Sequence, residues 1–172
     1  MPDINVSHLL DRASRTDVGA GRPRQADLRR GISDAYYALF HGLTAAVASQ
    51  ALRYIPLAAV QSFRRTLRHS AVRDRCGRIA SGKKLPLPMA LSTTSSADAN
   101  ARLVAQAFVD LQEERHLADY AHDETFDVVR LNEAIALARR ALNALAGHST
   151  EPGMAALLSL LAMTSTWDHN DP

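Results

Sequence analysis

The residues of this chain best suited to chemistry sit in one stretch, EERHLADYAHDETF at 113–126. Arg115 and His122 stand seven residues apart, two turns of a helix, so on a regular helix they project within about 20° of each other. Asp119 falls between them, four residues after Arg115 and three before His122. This face continues the apolar stripe of Val104, Phe108 and Leu111. The spacing therefore predicts a charged trio at the edge of the core or against another chain, not on a solvated face. A histidine that titrates near neutrality gives or takes a proton. A guanidinium offers a planar fork to phosphate oxygens and to charge developing on a phosphorane. Together they suffice for attack of an RNA 2′-hydroxyl on its neighbouring phosphate with no metal or cofactor. That reaction needs both a base and an acid; one chain supplies one such histidine, and a symmetric dimer supplies two. On spacing alone the same residues also read as an ordinary helix end, with Arg115–Asp119 an i, i+4 pair and His122 exposed.

Charge distribution bears on the same question. The 172 residues hold 20 Lys+Arg and 18 Asp+Glu, a formal net charge of +2. All the basic residues but Lys83 and Lys84 are arginine, a skew that codon bias alone produces. From Arg64 to Lys84 eight basic residues face Asp74 alone, and from Asp110 to Asp127 seven acids face Arg115 alone. The basic run, with Arg64, Arg65, Arg68, His69 and Arg73 at its start, reads either as a phosphate track or as a solvated helix face pairing with the acidic segment. Arg64 and His69 form a second Arg/His pair, but five residues apart on a regular helix they diverge by about 140°.

Other constellations are weaker. His41 reads as a structural histidine on a helix seam, and Tyr36 and Tyr37 as core or interface aromatics. Glu113 and His116 have the i, i+3 spacing of a di-iron ligand pair, but no second Glu-x-x-His occurs. Cys76, the single cysteine, excludes an intramolecular disulfide framework and reads as a small packed residue. No metal site is expected.

The elements that must position these residues are helical. Leu28, Ile32, Ala35, Leu39, Leu43 and Val47 recur every three or four residues and predict a helix over about 24–52. Further helices are expected over about 4–13, 57–79, 97–119 and 126–146, the last started by a Thr125 cap and ended at Gly147. Residues 81–97 read as a long Pro- and Ser/Thr-rich loop, and 152–164 as a short apolar helix needing cover from the bundle or from a second chain. The expectation is one all-α domain over 1–172, a bundle of about five helices with its core over about 24–146. No run of 18 apolar residues occurs, and MPDINVSHLLDRASR lacks the order of a secretion signal, so a cytoplasmic protein is expected.

At two places the chain resembles HEPN domains. LRRGISDAYYALFHGL (28–43) is similar to their first long helix, and ERHLADYAH (114–122) to the segment in which Arg and a polar residue precede ADY. The HEPN ribonuclease signature is Arg, four to six residues, then His, often with a polar residue after the Arg; Arg115, His116 and His122 fit it at the long end of that spacing. With the helices that follow them, the two segments cover somewhat less than half the chain. The resemblance implies a four- to five-helix bundle that forms a homodimer with a composite cleft, where catalytic members cut RNA without metal. Such members often act as toxins or in phage defence, commonly with a nucleotidyltransferase-type antitoxin. It assigns Arg115 to the scissile phosphate and His122 to proton transfer, with His116, Asp119 and Tyr120 in support. The alternative is a non-catalytic HEPN module that binds a partner protein or a nucleotide. The acids around Arg115 favour it, because they repel a polyanion.

Overall fold

The computed structural model describes residues 5–15, 23–51, 63, 64, 66–82, 99–149 and 151–163. Among these residues it is an all-α bundle of six helices with no strand, in keeping with the expected bundle of about five helices. They are α1 (Val6–Arg15), α2 (Gln25–Ala51), α3 (His69–Ala80), α4 (Ala99–Tyr120), α5 (Val128–Gly147) and α6 (Pro152–Ala162). No described helix is long and apolar enough to cross a membrane.

Helix α2 is the axis of the bundle: α1, α4, α5 and α6 all pack on it, and α3 lies against α4 and α6. Its stripe of Leu28, Ile32, Ala35, Leu39, Leu43 and Val47 is buried throughout, as are Tyr36 and Phe40. Two glycines in α2 let α5 approach closely. A Cβ on Gly31 would stand 2.7 Å from Cδ1 of Leu131, and one on Gly42 would strike Leu142. The expected apolar C-terminal helix finds its cover within the chain, because Met154, Leu157, Leu158, Leu160 and Leu161 of α6 are all buried against the bundle. Gln50 near the end of α2 fastens it by donating to the Ala155 carbonyl (3.0 Å) and to Ser159 Oγ (2.8 Å). At the other end Asn5 caps α1, its Oδ1 accepting from the Ser7 N–H at 3.0 Å. Arg12 of α1 then grips the buried Asp34 of α2 through Nε (2.6 Å) and Nη2 (2.5 Å).

Several expected boundaries move, each for a local reason. The helix expected over 57–79 is broken: residues 63, 64 and 66 are helical, Arg68 is extended (φ −85°, ψ 138°) and α3 starts at His69. On an unbroken helix, residues 67 and 69 would diverge by about 160°. The break lets Leu67 be buried while His69 lays its ring on Phe40 of α2. The start of α5 is capped by Asp127, not Thr125: Asp127 Oδ1 accepts from the Arg130 N–H at 2.8 Å. Phe126 is held in the preceding turn, because Gln25 bonds both its carbonyl (2.6 Å) and its N–H (2.8 Å). At the far end of α5, Gly147 is still helical and His148 is the cap. The first helix begins at Val6 rather than Ile4, α4 runs to Tyr120, and α6 ends at Ala162. Residues 52–62 and 83–98, which include most of the expected loop and Lys83 and Lys84, lie outside the described residues, as does Arg65.

The glycine contacts set opposite expectations for one substitution. Gly31→Ala improves helix propensity but drives a methyl into Leu131, which is fully buried, so stability falls by about 1–3 kcal/mol. At Gly77 in α3 an added Cβ meets nothing within 4 Å, and Gly77→Ala raises stability by up to about 1 kcal/mol. Urea midpoints of the two variants beside the parent protein read both effects.

Candidate functional site

Arg115 lies in the last turns of α4 with about a quarter of its side chain exposed (24%). Its Nε stands 2.6 Å from Asp119 Oδ2 one turn on. That N–H is not aligned as a hydrogen bond, so the pair is held by charge. Asp119 is itself held from α2, where Ser33 Oγ donates to its Oδ1 at 2.8 Å. The outer edge of the guanidinium donates from Nη2 to Tyr37 Oη (3.3 Å), and its carbon lies 5.7 Å from the Tyr37 ring centre and 5.8 Å from that of the exposed Tyr120. Burial works against the charge, and Asp119, foremost among its neighbours, raises the guanidinium pKa nonetheless.

The helical phase expected for His122 is not realised. Helix α4 stops at Tyr120, and His122 sits exposed in the turn beyond it. Among the described residues it forms no hydrogen bond or ion pair with Arg115. The stop has a clear cause in Arg29 of α2. It donates to the carbonyls of Ala118 (2.8 Å), Ala121 (2.8 Å) and Glu124 (2.7 Å), and its guanidinium carbon lies 4.8 Å from the centre of the Phe126 ring. These bonds satisfy the Ala118 carbonyl, one of those that a helix end leaves open, and hold the carbonyls of the bend that follows. His116 stays on α4, tilted against Tyr120 with ring centres 5.0 Å apart.

A different histidine shares Tyr37 as a neighbour with Arg115. His69, the first residue of α3, stacks on Phe40 with ring centres 3.8 Å apart. Its Nδ1 lies 2.6 Å from the hydroxyl of the buried Tyr36, and the edge of its ring meets Tyr37. Much of the residue remains open to solvent, yet burial of its stacked face, then Arg115 and then His41, push its pKa below the usual histidine value. His41 is half-buried beside Tyr37, and burial followed by Arg64 lowers its pKa too. The remaining members of the basic run divide: Arg68 is exposed, while Arg73 pairs with Glu113 at 3.1 Å, as a face matched to the acidic segment would. Cys76 is fully buried and its thiol pKa is pushed up by that burial, which leaves it a packing residue.

An open cleft of about 750 Å³ runs beside this cluster, lined by Arg29, Ser33, Tyr37 and His41 of α2 and by Asp119 and Tyr120 of α4. A smaller hollow of about 420 Å³ shares Arg29, Ala118 and Asp119 with it and reaches His122. The shared walls make one polar surface from His41 past Asp119 to the turn. A separate cavity of about 570 Å³, between α1, α2, α5 and α6, is lined by Gly42, Ala46, Leu142 and Leu158 and holds no titratable side chain. Among the described residues no group of three or more His, Cys, Asp and Glu side chains is arranged to hold a metal ion. The chain matches no family model, no curated protein and no solved structure.

The positioning roles of Arg29, Ser33 and Tyr37 do not follow from the Arg115–His122 spacing. A signal for them is present in the sequence nevertheless: Arg29, Ser33, Tyr37 and His41 recur every fourth residue. That series places a polar stripe along α2 next to its apolar one.

The two lowered histidines fix the sign of a pH effect. Each binds its proton less readily in the fold than at the ordinary value of 6.5, so the unfolded chain takes up more protons as the solution acidifies. Their contribution to stability is fully present above about pH 6.5 and is lost as pH falls below it. The charged and titratable groups around them are Arg115, Arg64, Tyr36 and Tyr37, and His41 also bears on His69. Denaturation midpoints measured across this range should fall on the acid side, and less steeply in His69→Gln.

Proposed function

We propose that the chain is a HEPN-like, metal-independent endoribonuclease, toxin- or defence-like, that works as a homodimer. The observation that carries the reading is Arg115: a partly exposed guanidinium held by Asp119 and Tyr37, both of which line an open polar cleft. A phosphate entering there meets a fork already oriented, so little is lost in ordering it. In the reaction, a base takes the proton of a 2′-hydroxyl, the oxygen attacks the adjacent phosphorus, and Arg115 takes up the charge on the equatorial oxygens. An acid then protonates the departing 5′-oxygen, leaving a 2′,3′-cyclic phosphate and a 5′-hydroxyl. His122 serves in proton transfer, and its exposed position beyond α4 suits a site shared with the His122 of a second copy.

The alternative, a non-catalytic module for a nucleotidyltransferase-type partner or a nucleotide, drew its weight from the acids around Arg115. That weight is reduced by their pairing. Glu113 is matched by Arg73, Glu114 and Glu124 by Arg130, and Asp119 by Arg115 itself. Of the five acids, Asp123 forms no ion pair among the described residues.

End-labelled RNA incubated with the purified protein in excess chelator tests the reading. Cleavage to cyclic-phosphate ends is expected from the parent protein. Arg115→Ala should lose about a hundredfold or more while remaining folded, and His122→Ala should lose activity with it. A folded dimer that cuts nothing would hand the case to the binding module. Full activity in Arg115→Ala would remove Arg115 from the site.

A further inference from the structure

Tyr36, buried inside α2, has a hydroxyl whose single hydrogen-bond partner among the described residues is Nδ1 of His69 at 2.6 Å. A buried hydroxyl must place its hydrogen on an acceptor, and Nδ1 is the acceptor at hand. Burial also pushes the phenol pKa well up, so the hydroxyl keeps its proton. With Nδ1 accepting, the neutral imidazole carries its hydrogen on Nε2, on the far edge of the ring. Stacking on Phe40 and the edge contact with Tyr37 then fix the plane of that ring. Arg115 touches the same Tyr37, with its Nη2 on the hydroxyl and its guanidinium carbon 5.7 Å from the ring centre.

We propose that His69 and Arg115 form a phosphate subsite within one chain, in which a neutral His69 donates its Nε2–H to one oxygen while Arg115 supplies the charge. This deepens the ribonuclease reading and rests on it for the identity of the phosphate as that of RNA. Three features keep the ring neutral: its stacked face, the adjacent Arg115 and His41, and its place at the positive end of α3. A neutral donor of this kind polarises an oxygen without surrendering its proton. Tyr36 is the positioning residue that selects the tautomer. His69 is thus assigned to binding, and proton transfer is left to other groups.

Two measurements on the full-length protein separate this from a merely structural histidine. In ¹⁵N-resolved spectra at neutral pH, His69 should show a protonated Nε2 and a bare Nδ1, and inorganic phosphate should shift the Nε2–H and Arg115 side-chain signals together. A bare Nε2, or signals unmoved by phosphate, would overturn the subsite whether or not RNA is cut. The second measurement is binding of an RNA strand made uncleavable by 2′-deoxy substitution. His69→Leu should weaken it by about ten- to hundredfold. His69→Gln, whose amide keeps a donor near the same place, should bind within a few-fold of the parent. Tyr36→Phe should weaken binding less than His69→Leu while populating the other tautomer. If the parent protein binds the strand and His69→Leu binds it equally well, the subsite falls and the ribonuclease reading stands. If phosphate shifts His69 and Arg115 as expected but the parent protein neither binds nor cuts RNA, the ribonuclease reading falls and a phosphate site of other purpose stands.

Discussion

The geometry of the candidate site depends on Arg29. One guanidinium on α2 takes the carbonyls of Leu117 and Ala118 at the end of α4 and those of Ala121 and Glu124 in the turn after it, and lies over Phe126, which opens the path to α5. Each bond from a charged donor to a carbonyl contributes on the order of 1.5–3 kcal/mol, and here they also decide direction. Without a donor at that place, the last carbonyls of α4 would be free to continue the helix or to fray into water. With it, α4 ends at Tyr120, the chain turns, and Gln25 closes the turn by bonding both backbone groups of Phe126. Arg130 completes the clasp from α5: it pairs with Glu114 at 2.6 Å and with Glu124 at 3.2 Å, over the same Phe126 ring. Three helices therefore meet at one aromatic ring flanked by two guanidinium groups.

That clasp sets the register of α2 against α4, and the register brings the polar stripe of α2 to Arg115. Ser33 reaches Asp119 and Tyr37 reaches Arg115 because both α2 residues lie on the stripe that Arg29 begins. Half-burying a guanidinium and a carboxylate costs solvation, and a lone pair of this kind adds little net stability. Here the pair is tied by a hydroxyl on one side and a phenol on the other, and the gain is orientation. Arg12 and Asp34 form a similar pair one helix away, where a buried carboxylate is held by Nε and Nη2 of one guanidinium. α2 thus does two jobs on adjacent faces, an apolar one toward the core and a polar one toward the cleft.

Much of the scaffold was legible in the residues. The 3.6-residue recurrence of apolar side chains in α2, α4 and α5 reports which face is buried, because burial on a helix has only that period to follow. The pairing of Arg115 with Asp119 was legible for the same reason, since four residues on a helix always make neighbours. Even the polar series of Arg29, Ser33, Tyr37 and His41 is written in the chain.

The partners that those faces meet were settled by tertiary structure. Whether α4 continues past Tyr120 is decided by Arg29 on another helix, because the competitor for its last carbonyls is that guanidinium and not water. Whether the segment before α3 stays helical is decided by Phe40 and Tyr36, which draw His69 to α2 while Leu67 is buried and Arg68 between them is extended. Spacing along one helix therefore determined that Arg115 had a charged neighbour. Hydrogen bonds and stacking between helices decided that His69 is held against Tyr37, the phenol that Arg115 also touches, and that His122 lies exposed in the turn.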